Sequence, residues 1–236
     1  MADPTNLGQI EITASGSSKP STDLRVRLKV PGRYFSQPQV RGLNNELVGR
    51  VRGQDTGGAA ASNFGYIIFP YTPNISFDYK ADYGTFHPVH SNFVQYYYTH
   101  SSVGAISITG RFTVQNDDDA GVYLATTTLL KGLTKMRFGK DPDAGTPPPI
   151  CRLYAYGNYM LDNIPVVINT FRVELPDNVD YYRLDPENKS KVSAAFNYPA
   201  SVPTISTIAI TCLPVFSRKE QLSMSYEKFL QGVGVL

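Results

Sequence analysis

Along most of this chain hydrophobic and polar positions alternate in short stretches, and they take up a helical period only once. Residues 24–30 (LRVRLKV) give the first clear alternation. Leu24, Val26, Leu28 and Val30 fall on one face and Arg25, Arg27 and Lys29 on the other, the period-two pattern of a half-buried strand. Residues 65–71 (GYIIFPY) and 75–79 (ISFDY) read as short strands separated by Thr72, Pro73 and Asn74. Residues 92–98 (NFVQYYY) form a β-prone aromatic run and 105–114 (AISITGRFTV) complete an early sheet. Further strands are predicted at 150–156, 165–175 and 204–215. Residues 159–163 connect the first two of these, and Pro176-Asp177-Asn178 supplies turn chemistry after the second.

The one helical period begins near Asn116. Asn116 or Asp117 caps it, and Asp117, Asp118 and Asp119 place negative charge where unpaired N–H groups and the helix dipole favour it. Val122, Thr126, Leu129, Leu133 and Met136 step by four and three and draw one buried stripe, widened by Tyr123 and Leu130. Lys131, Lys135 and Arg137 suit a C-terminal end, with Gly139 as the stop, so the helix is predicted over 116–138. Thr126, Thr127 and Thr128 are weak helix formers, which makes this helix dependent on packing against a sheet.

The intervening segments are polar. Residues 1–21 read as a flexible N-terminal arm, followed by one domain over 22–236 with long loops near 36–63 and 183–203. Residues 226–236 read as a short helix and an apolar tail that needs a docking site. Many short strands, one helix and no internal repeat predict a mainly β fold: packed antiparallel sheets, as a sandwich or barrel, with one flanking α-helix.

Composition adds a hint of burial between subunits. Only 18% of residues are charged, while there are 16 Tyr, 12 Phe and no Trp. A subunit covered on several sides has this balance, because interfaces favour aromatics over Lys and Glu. A formal charge of +2 with dispersed basic residues gives no dedicated nucleic-acid face. The start of the chain has neither the charged nor the apolar region of a signal peptide. No apolar run approaches the roughly 18 residues of a membrane span, so no membrane partner is expected. Cys151 and Cys212 lie far apart in apolar runs and are expected as free buried thiols.

Candidate chemistry is sparse. His87 and His90 would face one metal only on a helix, which Pro88 opposes, so they and His100 read as surface or interface histidines; no metal or cofactor is expected. Asp55-Thr56-Gly57 matches the aspartic-protease triplet but has no second copy to supply the partner carboxylate. No nucleophile elbow, zinc-protease motif or Walker loop is present, so no catalytic residue is assigned. The cationic face of Arg25, Arg27 and Lys29 is the leading electrostatic feature. It reads either as a solvated sheet face or as a contact with an acidic neighbouring subunit.

The stretch 132–182 carries an ordered series of motifs. They are the helix end Thr134-Lys135-Met136-Arg137-Phe138-Gly139, the crossing Gly145-Thr146-Pro147-Pro148-Pro149, the strand-turn Tyr154-Ala155-Tyr156-Gly157-Asn158, the run Ile164-Pro165-Val166-Val167-Ile168, and the turn Leu175-Pro176-Asp177-Asn178-Val179-Asp180-Tyr181. With the preceding strand around Ser107-Ile108-Thr109-Gly110, this series resembles the tail-tube junction proteins in the baseplates of contractile-tailed bacteriophages. The similarity covers about residues 104–182; Asn178 stands where an acidic residue is common in that family, and residues 1–100 match no pattern of it. The resemblance implies a tail-tube fold of two antiparallel sheets packed face to face with the helix on their flank. Gly139, Pro147, Pro148, Pro149, Gly157, Pro165, Pro176, Asp177 and Asp180 are its fold-defining positions. It also implies a structural virion protein without catalytic activity or cofactor. Six copies would form a ring that initiates the tail tube and continues its DNA channel. Implied partners are other copies of the chain, the baseplate hub, a second junction protein, the tail-tube protein and a sheath or tape-measure protein, with DNA only in non-specific passage. Other readings are the repeating tube protein, a tail terminator, or, in a different class, a carbohydrate-binding β-sandwich of a tail fibre.

Overall fold

The computed structural model describes residues 26–31, 34, 64–140, 143–157, 160–184 and 200–227. The expected arm at 1–21, the loop at 36–63, most of the loop at 183–203 and the end of the 226–236 segment lie outside them, as does Arg25. Strands hold 49% of the described residues against 17% in helices, so the fold is mainly β.

Seven strands form one antiparallel sheet: β1 (Arg27–Pro31), β2 (Phe64–Ile68), β3 (Asn74–Ser76), β6 (Ile106–Thr113), β7 (Cys151–Ala155), β8 (Leu161–Glu174) and β11 (Ile205–Pro214). Their order is β2-β1-β7-β8-β11-β6-β3. Two ribbons stand apart, β4 (Tyr79–Phe86) with β5 (Gln95–Val103), and β9 (Tyr181–Leu184) with β10 (Ala200–Pro203).

The order forces the large sheet to curl. β2 and β3 are its two edges, yet only Phe69 to Pro73 separate them in sequence. Laid flat, six strand spacings would hold the edges about 29 Å apart. The chain from Ile68 to Asn74 spans at most about 21 Å. The sheet therefore bends until its edges approach, and the linker fastens them. Phe69 is 1% exposed, its N–H donates to the carbonyl of Val26, just before β1, at 3.3 Å, and its ring lies 5.7 Å from that of Phe112 on β6. Gly110 makes room for it, since a Cβ there would overlap the Phe69 ring. Tyr71 and Thr113 share a hydroxyl hydrogen bond of 2.9 Å across the same closure.

Register carries one apolar set to the concave face. Val26, Leu28 and Val30 lie inside with Cys151, Leu153 and Ala155, then Ile164, Val166 and Ile168, then Ile208, Ile210 and Cys212, then Ile106, Ile108 and Phe112. Both cysteines are free and buried, and burial pushes each thiol up to about 12.

Helix α1 (Asp117–Leu133) adds its buried face to this core through Tyr123, Leu129, Leu130 and Leu133. Asn116 is its N-cap, accepting from the Asp119 N–H at 2.8 Å. Asn116→Ala is expected to lower stability by about 1 kcal/mol, read as a shift in the urea unfolding midpoint. Tyr182 of β9 donates to the Asp117 carboxylate at 2.7 Å and so ties the β9–β10 ribbon to the helix start. That hydrogen bond, chiefly, raises the pKa of the phenol.

The helix ends earlier than its sequence period. It stops at Leu133 rather than 138, and Met136, expected on the buried stripe, is 57% exposed. Two captures explain this. The Lys135 N–H donates to the Gly132 carbonyl. Arg137 then joins a closed turn, its N–H donating to Thr146 O and its carbonyl accepting from Gly145 N, with its guanidinium 2.8 Å from Asp143. Gly139 is thus no helix stop; it takes φ +74° inside that turn.

The other motif residues have local roles. Pro147 is exposed, Pro148 half-buried and Pro149 buried as the chain crosses back to β7. Tyr156 and Gly157 turn the chain with φ +57° and +84°. Residues 161–163, expected in the connection, begin β8, and Asn163 takes φ +57° within it as the register shifts. Pro165 is buried in the strand where β11 has just ended, and its carbonyl accepts from Val215 N at 2.9 Å. Pro176 and Asp177 follow β8, and the Asp180 carbonyl accepts from both the N–H and the hydroxyl of Thr204.

Candidate interaction surface

The cationic face predicted on the first strand does not form an exposed strip. Arg27 is only 8% exposed. Its guanidinium lies over two rings, 5.5 Å from the Tyr154 centroid and 5.9 Å from that of Tyr66. Lys29 reaches the same Tyr66 ring at 5.9 Å. A guanidinium is weakly hydrated and stacks well on aromatic faces, so the fold absorbs this cation within itself. Arg27, expected with Arg25 and Lys29 as a subunit contact, is thus covered by side chains of its own domain, and Arg25 lies outside the described residues. Tyr66 and Tyr154 come from β2 and β7, and the alternation on β1 alone cannot reveal them.

The histidines are all exposed. His87 and His90 lie near a turn closed by Ser91 N to Pro88 O, where His90 takes φ +63°. His100 Nε2 lies 3.1 Å from the Asp82 carboxylate, which also holds Lys80 at 2.6 Å. The Lys80 hydrogen bond is the main cause that lowers the Asp82 pKa. Among the described residues no group of three or more His, Cys, Asp or Glu is placed to hold a metal. Asp55, Thr56 and Gly57 lie outside the described residues.

The least covered surface of the described chain is the β4–β5 hairpin. It prolongs β3 and β6 beyond the sheet and bends at its root, where Gly104 N–H donates to the Asp78 carbonyl at 2.8 Å. The Asp78 carboxylate lies over Gly104, in the space that a Cβ would take. Eight residues of strand carry the tip about 26 Å outward.

Pairing fixes what each face shows. Tyr79 opposes Val103, Tyr83 opposes Tyr98 and Thr85 opposes Tyr96, which puts four tyrosines on one face. The Tyr83 and Tyr98 rings meet edge to face at 6.0 Å. The other face holds Lys80, Asp82 and His100 near the root, then Tyr97 lying over Gly84, with Phe86 at the far end. Phe93 lies in the loop between the strands. These seven aromatic side chains are between 56% and 80% exposed. Two-stranded ribbons are marginal in water unless something packs on them, which makes this hairpin the candidate interaction surface.

Sequence reading predicts strand for only part of this hairpin, around the aromatic run. The signal for β4 was the alternation of Tyr79, Ala81, Tyr83 and Thr85 with Lys80, Asp82 and Gly84. The structure leaves its aromatic members exposed. No protein-family model matches the chain, and no curated protein shows significant similarity to it.

Proposed function

We propose that this chain is a structural subunit of a contractile-tailed phage virion. Six copies form a ring between the baseplate hub and the tail tube. The ring offers a face on which the first tube ring adds, and its lumen continues the channel through which DNA passes without sequence recognition. The chain itself performs no chemistry in this role. It supplies shape and contacts to its own copies, to the hub and a second junction protein, and to the tube protein.

The observation that carries this reading is the uncovered aromatic hairpin. A chain whose largest aromatic cluster faces solvent on both sides of a ribbon is completed by neighbours. The motif series supports it from the sequence side. Its members occupy consecutive structural positions: β6, α1, the closed turn and proline crossing, β7, the Tyr156-Gly157 turn, β8 and the turn at 175–180. The curled sheet leaves few open edges, which suits a subunit that must add neighbours without aggregating.

The test is the copy number and position of the chain in a particle. Electron microscopy of tails carrying a tagged chain is expected to show six copies at the hub end of the tube. Dozens of copies along the tail would make it the repeating tube protein, and six at the head end a terminator. Glycan-dependent attachment of the isolated chain to cells would replace the reading with that of a fibre module.

A further inference from the structure

A second uncovered surface leaves the same end of the sheet as the hairpin. After β11 the chain runs into helix α2 (Arg218–Ser223), capped by Ser217 and without a buried side chain. Leu222 is 79% exposed, Met224 41% and Tyr226 76%. Register places this segment. Cys212 pairs with Ile106, and Val166 pairs with both Pro214 and Cys151, so the start of β6, the end of β11 and the start of β7 are aligned. The hairpin joins β6 at that end, and Glu220 holds α2 beside β7 through Arg152 at 3.9 Å. β6 and β7 lie three strand spacings apart, about 14 Å along the sheet.

We propose that the tyrosine face of the β4–β5 hairpin of one copy lies across the 218–226 segment of the next copy. The proposal rests on the reading of the chain as a ring subunit and names the contact that closes the ring. Two observations select a second copy as the occupant. The two surfaces differ in the complementary sense, tyrosine rings on one and Leu222, Met224 and the exposed cations Arg218 and Lys219 on the other. Thioethers and cations both favour aromatic faces. Finally, one chain carries both surfaces at one end, so each copy can give the first and receive the second. Such a head-to-tail contact, repeated, generates a ring when its rotation closes.

Cross-linking between two populations of the full chain tests this. One carries Tyr96→Cys and a size tag, the other Leu222→Cys. In a short bismaleimide each thiol adds its sulfur and hydrogen across a maleimide double bond, so no oxidant is needed. Cys151 and Cys212 are buried with thiol pKa values of about 12 and stay silent, as the unsubstituted chain verifies. The expected result is a mixed dimer that rises with concentration and exceeds either homotypic dimer about tenfold. Adding Tyr83→Ser and Tyr98→Ser to the tagged chain is expected to cut the mixed product about tenfold, the loss typical of truncating aromatic anchors. Its melting temperature should hold, because these rings lie outside the core. Homotypic products equal to the mixed one, no product at any concentration, or a product indifferent to the serine changes would each overturn the contact. A mixed dimer from a chain that imaging places away from the hub would keep the contact and remove the hub-junction reading. A six-copy hub ring without the cross-link would do the reverse.

Discussion

Val166→Asp is expected to leave no folded protein. Val166 is 0% exposed on β8, which has β7 on one side and β11 on the other, so no shift of an edge can bring the new carboxyl to water. Its cross-strand neighbours are Cys151 and Pro214. Holding the carboxyl neutral at pH 7 costs about 4 kcal/mol from its ordinary pKa, and the lost apolar packing adds about 2 kcal/mol. The total is comparable to the whole stability of a typical domain, roughly 5–15 kcal/mol. Ile168→Asp, 5% exposed two residues on, should behave alike. Circular dichroism and soluble yield read the result. A Val166→Asp chain with the parent's spectrum and melting curve would refute the placement of β8 in the core.

The second large effect belongs to Phe69, which plugs the closure of the curled sheet. Phe69→Ala is expected to cost about 3–5 kcal/mol, the range for emptying a buried phenylalanine site. Gly110 gives this a sharper form. Gly110→Ala alone forces a methyl into the Phe69 ring and is expected to cost about 1–3 kcal/mol. In the Phe69→Ala chain the ring is gone, and the same change should cost little. Equilibrium denaturation of the two single variants and the double variant measures this coupling. Additive losses would show that the ring does not occupy the space over Gly110.

Local pattern carried much of the fold and little of the surface. The inward set on β1, β7 and β11 follows from simple alternation, because each strand has one buried face. A cap at Asn116 or Asp117 follows from residue chemistry alone, and the structure selects Asn116. The helix end did not, since the period continues through Met136 while the backbone of Arg137 is claimed by Gly145 and Thr146. Such competition between a helix and a turn has no signature in hydrophobic spacing. The fate of Arg27 also depended on rings from two other strands. The hairpin shows a related limit: an aromatic run looks the same in sequence whether its own domain covers it or leaves it exposed, as here. The low charge and high tyrosine content fit a tyrosine-rich surface but do not say where on the chain it lies.

The strand order also bears on when each part of the chain comes into being. The hairpin joins neighbours in sequence, with Tyr79 beside Val103 and Phe86 beside Gln95, and local ribbons of this kind form in about 1–10 μs. The sheet that carries it joins distant partners, Arg27 with Tyr154 and Ile205 with Thr113, and loop closure over such separations is slow. The pairings within the ribbon can therefore form faster than those of the curled sheet that positions it. On a ribosome, β11 is made last among the described strands, so the central pairing of the sheet, β8 with β11 with β6, waits for residues 205–214 while every residue of the hairpin has already been made.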